Sequence, residues 1–397
     1  MDTHPRPRRV AFLDLQWPYK RHIGVFAGAY RYAHELGWET IIDDYADEEL
    51  QASQPDALPY DGVIGRASKK LTEQAKRLNL PVVNTWVSSP ARDELPGVLP
   101  DLEAAARMEA EHLLARGLRR FACLGTNDSG SKIKIAAFRA AVGEAGFPCV
   151  TARVPLNFTR TYANWKKYEQ RIADAMDKWQ PPIGVFARVE QTARMVAQMC
   201  RQRGWRVPHD VAIIGGQNEE SLCEHPRPSI SSVEIGYERI GYEAARMLDQ
   251  LMEQRDNGAY SAAPPKQVLL PPIGLMVRES TDFYAIDDPL IASALAFIAD
   301  NSHRPINAED VAQATGVGVR ALQLKFSKTL GRPVSDEIQR VRIERAKREL
   351  TQSDRPIQDI ARDTGFGRAM RMYNAFTREL GVSPRDYRKQ RKLQQDE

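Results

Sequence analysis

Long apolar runs are missing from this chain. No stretch approaches the roughly 20 residues that span a bilayer, so no membrane partner is expected. The start, Met1 to Arg9, is short and basic, and Asp14 interrupts the first apolar run. That leaves no secretory core segment, and a cytoplasmic protein is expected. Cysteine is scarce: Cys123, Cys149, Cys200 and Cys223 lie far apart in sequence. They show neither zinc spacing nor a disulfide framework, so reduced thiols are expected. The histidines, His4, His22, His34, His112, His209, His225 and His303, fall at no metal spacing. A phosphate loop of Walker type and a Gly-x-Ser-x-Gly elbow are both absent. Asp43-Asp44 and Glu219-Glu220 are adjacent acids, which are ordinarily surface charge. An enzyme is therefore not expected, nor a metal, nor a cofactor.

What the chain has is length, a globular composition and an uneven charge. Its 397 residues exceed one ordinary core, and 42% are hydrophobic; two or three folded domains are expected. The net charge is +4. From residue 291 onward the balance is +6, so residues 1–290 carry −2. A basic C-terminal end fits contact with DNA phosphates.

Along residues 10–216 short apolar runs alternate with helical periodicity. Val10–Leu15, Trp38–Ile42, Tyr60–Gly65 and Pro81–Asn84 read as strands. Arg21–Leu36, Lys69–Leu78 and Leu102–Arg116 read as helices. The pattern restarts with strands Arg120–Gly125, Ile183–Ala187 and Asp210–Gly216, separated by helices Lys132–Ala145 and Glu190–Arg203. Two successive α/β halves predict two lobes with a cleft between them. Pro264-Pro265 and Pro271-Pro272 frame a last strand and stiffen a crossing toward the hinge.

The C-terminal hundred residues repeat themselves. Val311-Ala-Gln-Ala-Thr-Gly316, then Val319 to Phe326, ends at Gly331. Ile360-Ala-Arg-Asp-Thr-Gly365, then Arg368 to Phe376, ends at Gly381. Each copy reads as helix, glycine break and second helix, the pattern of a helix-turn-helix. The copies are offset by 49–50 residues. One polypeptide can thus present two reading helices to successive major-groove segments about 34 Å apart. Leu322, Phe326, Met372 and Phe376 fall at core spacing.

These residues resemble the DNA-binding domain of the AraC/XylS regulators. A connecting helix from Val334 to Leu350 carries Arg342-Ile343…Ala346, and Gly381-Val-Ser-Pro384-Arg-Asp-Tyr387-Arg388 closes the domain. The resemblance puts Arg320, Gln323 and Leu324 at base edges in the first reading helix. In the second, Arg368, Arg371 and Asn374 are expected on one helical face. Arginine can fork onto guanine and glutamine onto adenine, each worth about 1–3 kcal/mol of discrimination. Lys325, Lys328, Arg378 and Arg385 are expected on phosphates.

Residues 8–282 resemble the periplasmic-binding-protein-like sensor of the lactose-repressor class. Asp61-Gly-Val-Ile, Leu80-Pro-Val-Val-Asn, Ala110-Glu-His-Leu-Leu-Ala-Arg-Gly, Val207-Pro-His-Asp-Val-Ala-Ile-Ile-Gly and Ser231-Ser-Val carry it, in that order. A sensor ahead of an AraC-type domain is the arrangement of the xylose-operon regulator subfamily, and Val277-Arg278-Glu-Ser280-Thr281-Asp282 looks like its joint. The implied domains are a two-lobed α/β sensor, 8–282, and an all-α domain, 283–392. The helix-turn-helix units fall at about 308–331 and 357–381.

Ligands of open α/β lobes bind beyond the carboxyl ends of the strands. Trp17, Tyr19 and Trp86 are candidate sugar-stacking faces. Gln16, Asn127, Asp128, Lys134, Gln217 and Asn218 are candidate hydrogen-bonding groups. Sugar-binding relatives often have an acid where this chain has Arg188, and again at Gln217. Arg188 therefore favours an acidic sugar, unless it points away or pairs with Glu190. The expected protein is a DNA-binding transcription regulator, an activator by resemblance. Its expected partners are operator DNA, a sugar-like effector, a second copy of itself and RNA polymerase. The alternative is a regulator whose sensor only dimerises, with Gly236 to Met252 contributing to the interface.

Overall fold

The computed structural model describes residues 6–12, 20–154, 161–259, 266–283, 288–352 and 355–389. It separates into two units, Met1–Asp282 and Phe283–Glu397. In the first unit the chain runs through β1 (Arg9–Phe12), α1 (Lys20–Glu35), β2 (Glu39–Ile42), α2 (Ala46–Ala52) and β3 (Gly62–Gly65). It continues through α3 (Lys69–Leu78), β4 (Val82–Asn84) and β5 (Gly97–Pro100). Then follow α4 (Leu102–Ala115), β6 (Phe121–Gly125), α5 (Ser129–Glu144), β7 (Cys149–Arg153), α6 (Tyr162–Met176) and β8 (Ile183–Ala187). The unit closes with α7 (Glu190–Gln202), β9 (Val211–Gly215), α8 (Glu220–Glu224), β10 (Ser231–Glu234), α9 (Tyr237–Asp256), β11 (Gln267–Leu270) and β12 (Gly274–Met276).

Two six-stranded sheets result, ordered β11-β5-β4-β3-β1-β2 and β12-β10-β9-β8-β6-β7. The first is parallel throughout; in the second only β12 runs antiparallel, against β10. Central strands β3, β6, β8 and β9 are buried along their whole length. Their uninterrupted apolar or glycine sequences suit strands covered on both faces.

The lobes are not consecutive halves, as the sequence pattern predicts. Helix α4 packs on α5, β8 and β10 of the second lobe, whereas α9 and β11 return to the first, against α1 and β5. The chain therefore crosses between lobes after β5, after β10 and after β11. The last crossing passes Pro271-Pro272; Pro264 and Pro265 lie outside the described residues. The apolar face of α9, weighed above as a dimer surface, is used inside the lobe. Tyr237, Ile240, Ala244, Ala245, Leu248 and Met252 are all buried there. The cysteines are also less separate than their spacing implies. Cys123 and Cys149, on neighbouring strands, bring their sulfurs to 3.5 Å, both as free thiols.

The sensor's last turn, Glu279–Thr281, is stitched to the second lobe. Ser280 Oγ donates to the Ile213 carbonyl at 2.6 Å and accepts from Ser231 N at 2.8 Å. Thr281 Oγ1 meets Ser231 Oγ at 2.7 Å and His112 Nε2 at 2.8 Å. Arg116 Nε donates to the Thr281 carbonyl.

In the second unit, α10 (Pro289–Asn301) precedes α11 (Ala308–Thr315), α12 (Val319–Leu330), α13 (Val334–Gln352), α14 (Ile357–Asp363) and α15 (Ala369–Leu380). A capping box, Asn307 with Asp310, starts α11, while Gly316, Gly331 and Gly381 stop helices with φ near +70°. That left-handed conformation suits glycine. Helix α13 serves two cores. Val334, Ile338 and Val341 join Val311, Leu322 and Phe326; Ile343, Ala346 and Leu350 join Ile360, Met372 and Phe376.

Burial, reinforced by the Arg116 charge against the pull of Asp282, pushes the His112 pKa down to about 3. An unfolded histidine titrates near 6.5. The unfolded chain therefore binds the proton first, and stability present above pH 6.5 is lost as pH falls toward 3. Lowering the pH from 6.5 to 5 should cost the sensor about 2 kcal/mol from this residue alone. Urea midpoints across that range should show the slope in the natural protein and lose it in His112→Asn.

Candidate effector cleft and DNA-reading helices

The carboxyl ends of the strands gather one set of the expected residues. Trp86, after β4, is 8% exposed. Asn84 holds its backbone in place: Nδ2 donates to the Trp86 carbonyl at 3.0 Å and Oδ1 accepts from Trp86 N at 3.2 Å. Arg21, in the first turn of α1, lays its guanidinium over the indole at 3.8 Å, and His22 meets the ring edge-on. Gln16, Trp17 and Tyr19 lie outside the described residues.

The second lobe supplies the facing groups. Asp128 caps α5, accepting from Ser131 N at 2.9 Å and from the Thr126 hydroxyl. Desolvation opposes its charge, but the Thr126 hydrogen bond, the Arg188 charge and the Ser131 N–H hold its pKa below the usual value. Asn127 is exposed. Arg188, directly after β8, is 8% exposed and makes no ion pair with Glu190. Gln217 accepts from the Tyr237 hydroxyl at 3.2 Å, at the point where the chain enters α9. Asn218 is buried and donates to Glu234 at 2.7 Å.

Lys134 is a correction. Expected to offer its ammonium to a ligand, it is fully buried and donates to Glu109 at 2.6 Å and to the Gly216 carbonyl at 3.1 Å. Burial lowers the lysine pKa and pushes that of Glu109 up to about 7; each opposes the other by its charge. The pair is internal structure beneath the cleft loops. Its acid comes from α4, whose membership of this lobe the sequence pattern does not reveal.

Two further groups matter that the sequence pattern does not announce. Glu190 Oε1 accepts from the backbone N–H groups of Gln217 and Asn218 at 2.8 and 2.9 Å and from Ser232 Oγ at 2.7 Å. It shapes the loop that carries Gln217. Lys20 bridges the lobes, with Nζ 2.9 Å from the Asn218 carbonyl and 2.7 Å from Glu234. An acid directly after Arg188 and Val189 and a cation opening α1 are the only sequence signals for them.

The DNA-reading helices present their expected residues outward. Arg320, Gln323 and Leu324 on α12 are exposed, as are Arg371 and Asn374 on α15. Leu322, Phe326, Met372 and Phe376 are fully buried. Arg368 departs from the expectation of one helical face: it is the N-cap of α15, with φ −131°, and sits before the helix. The offset of 50 matches it to Gly318, the N-cap of α12. The same offset matches Met370, 69% exposed, to Arg320 and identifies it as a surface position overlooked in the pattern. Lys325 forms an ion pair with Asp288 at 2.7 Å, and Arg378 one with Glu379 at 2.9 Å. Lys328 and Arg385 are exposed.

Arg342 and Gly365 join the two helix-turn-helix units. Arg342 donates to the carbonyls of Ser302, Arg304 and Ile306 at 3.0, 2.8 and 3.1 Å. Gly365, with φ +86°, packs so close that a Cβ would overlap the Ser302 carbonyl.

Comparison with known proteins finds the same two parts. A periplasmic binding protein-like domain matches residues 110–281, and a helix-turn-helix domain matches residues 311–390. The xylose operon regulatory protein of Escherichia coli strain K12 is 26% identical over 391 residues, covering 96% of this chain and 97% of that protein. The chain is a homologue of the xylose operon regulatory proteins. The Haemophilus influenzae protein of that name is 26% identical over 379 residues, covering 93% of this chain and 95% of its own. A solved xylose-binding transcription activator shares the fold, with TM-score 0.65 and 23% identity, covering 97% of this chain and 98% of that one. Like its homologues, the chain is a transcription regulator and not an enzyme.

Arg368→Ala should relax base preference in the half of each DNA site read by α15, by about 1–3 kcal/mol at the contacted pair. Binding measured on single-base variants of a selected site decides this. An equal loss on every sequence would make Arg368 a phosphate contact.

Proposed function

We propose that this regulator is controlled by a sugar or sugar-like effector held between the lobes of residues 8–282. The observation that carries the reading is the set of groups gathered at the strand ends: Trp86 beneath Arg21 in the first lobe, and Asp128, Arg188 and Gln217 in the second. Residues 283–392 form the DNA-binding domain. Effector binding draws the lobes together, since ligand contacts on both sides favour the closed state. A ligand shifts such an equilibrium only by its differential affinity for the two states. A homodimer then presents two C-terminal domains to operator DNA in the cytoplasm and activates transcription through RNA polymerase. Its relatives, regulators of a xylose operon and a xylose-binding activator, support both the effector class and the sign.

A sensor that only dimerises is not favoured. The α9 face which that reading relies on packs against α1 of the same chain. A thermal-shift screen of the purified protein against pentoses, hexoses and their acids tests the proposal. A ligand at 100 times its Kd adds about 2.7 kcal/mol to the folded state and should raise the melting temperature by several degrees. No shift from any member of the panel would refute it.

A further inference from the structure

Arg188 is a buried cation without a hydrogen-bond partner. Its Nε and Nη1 are enclosed and bonded to nothing among the described residues. The acids around it compensate its charge through space but do not hydrogen-bond to it, and Glu109 Oε2 and Glu190 Oε2 are themselves buried without a hydrogen-bond partner among the described residues. Glu109 holds Lys134, Glu190 receives Gln217 N, Asn218 N and Ser232 Oγ, and Asp128 caps Ser131. The guanidinium lies beside the first turn of α5, where a Cβ on Gly130 would stand 3.3 Å from Nη2 and 3.2 Å from Asp128 Oδ1. Glycine at 130 leaves that space open next to the cation.

A guanidinium enclosed this way loses hydration and gains no hydrogen bonds in return, which is unfavourable unless a ligand supplies acceptors. Sugar hydroxyls are weak acceptors and leave the charge in place. A carboxylate neutralises it and matches its planar fork. We infer that the effector is a sugar acid, an aldonate or uronate, whose carboxylate is held by Arg188. This rests on the reading of the cleft as the effector site. Asp128 and Gln217 accept hydrogen bonds from its hydroxyls. Arg21, stacked on Trp86, adds a second cation on the first-lobe side.

Calorimetric titration of the full-length protein with D-xylose, D-glucose, D-xylonate and D-glucuronate tests the assignment. At least one acid should bind about 100-fold more tightly than its neutral counterpart, the scale expected of a buried charge pair. Arg188→Gln should abolish that preference; a cooperative urea transition in the variant shows that the loss is not a failure to fold. A neutral sugar binding as tightly as the acids, or acid affinity unchanged in Arg188→Gln, would overturn the sugar-acid assignment and leave the effector cleft standing. Silence from all four overturns this assignment as well. In that case neutral ligands of the wider screen decide the cleft's fate. The comparison of acid with neutral ligand on the natural protein needs no variant to fold.

Discussion

Two helix backbones touch where α1 crosses α9, and the packing of the first lobe depends on that contact. A Cβ on Gly28 would overlap the Glu238 carbonyl, and one on Gly241 would overlap the Val25 carbonyl. A Cβ on Gly24 would stand 2.8 Å from Tyr237 Cβ, also closer than side-chain carbons pack. Only glycine allows such an approach, and the many short contacts it creates are collectively strong. The seam continues through Tyr32, which donates to Asp249 at 3.0 Å, and Tyr242, which donates to Glu35 at 2.9 Å. Its functional consequence lies at the helix starts. Lys20 and Arg21 begin α1, Tyr237 begins α9, and the seam holds the starts of the two helices close together.

The three crossings between the lobes give this arrangement its leverage. Each lobe is a sheet with buried central strands, while the connections are single short segments. Lys20 makes a charged contact between the lobes, to the Asn218 carbonyl and to Glu234. The stitched turn at Glu279–Thr281 ties the end of the sensor to the second lobe. Movement of that lobe therefore carries with it the point where the chain leaves for the DNA-binding domain.

Legibility in the sequence follows the range of the forces involved. The helix-turn-helix units are readable because glycine stops, helical spacing and the 50-residue repeat are local signals. They place Leu322, Phe326, Met372 and Phe376 in the core correctly. The strands of the sensor are readable as apolar runs, yet lobe membership is not. Whether α4 packs on β8 or on β3 is decided by tertiary contacts that periodicity does not record. Lys134 shows the same limit within the candidate site. A lysine near a strand end resembles a ligand donor, and only the fold brings Glu109 from α4 to neutralise it. Arg188 was legible as an anomaly, but its burial and lack of hydrogen-bond partners required coordinates.

The DNA-binding domain makes the most exposed claim of this account, that one chain reads two major-groove segments. Helix α13 supports both units, and Arg342 and Gly365 lock the start of one to the turn of the other. Such a joint leaves α12 and α15 little freedom to reorient separately. In vitro selection of random duplex DNA by the full-length protein tests the claim directly. The enriched sequences should contain two short conserved elements with centres about 10–10.5 base pairs apart, one per reading helix. Enrichment of a single short element, or of two elements at variable spacing, would contradict it.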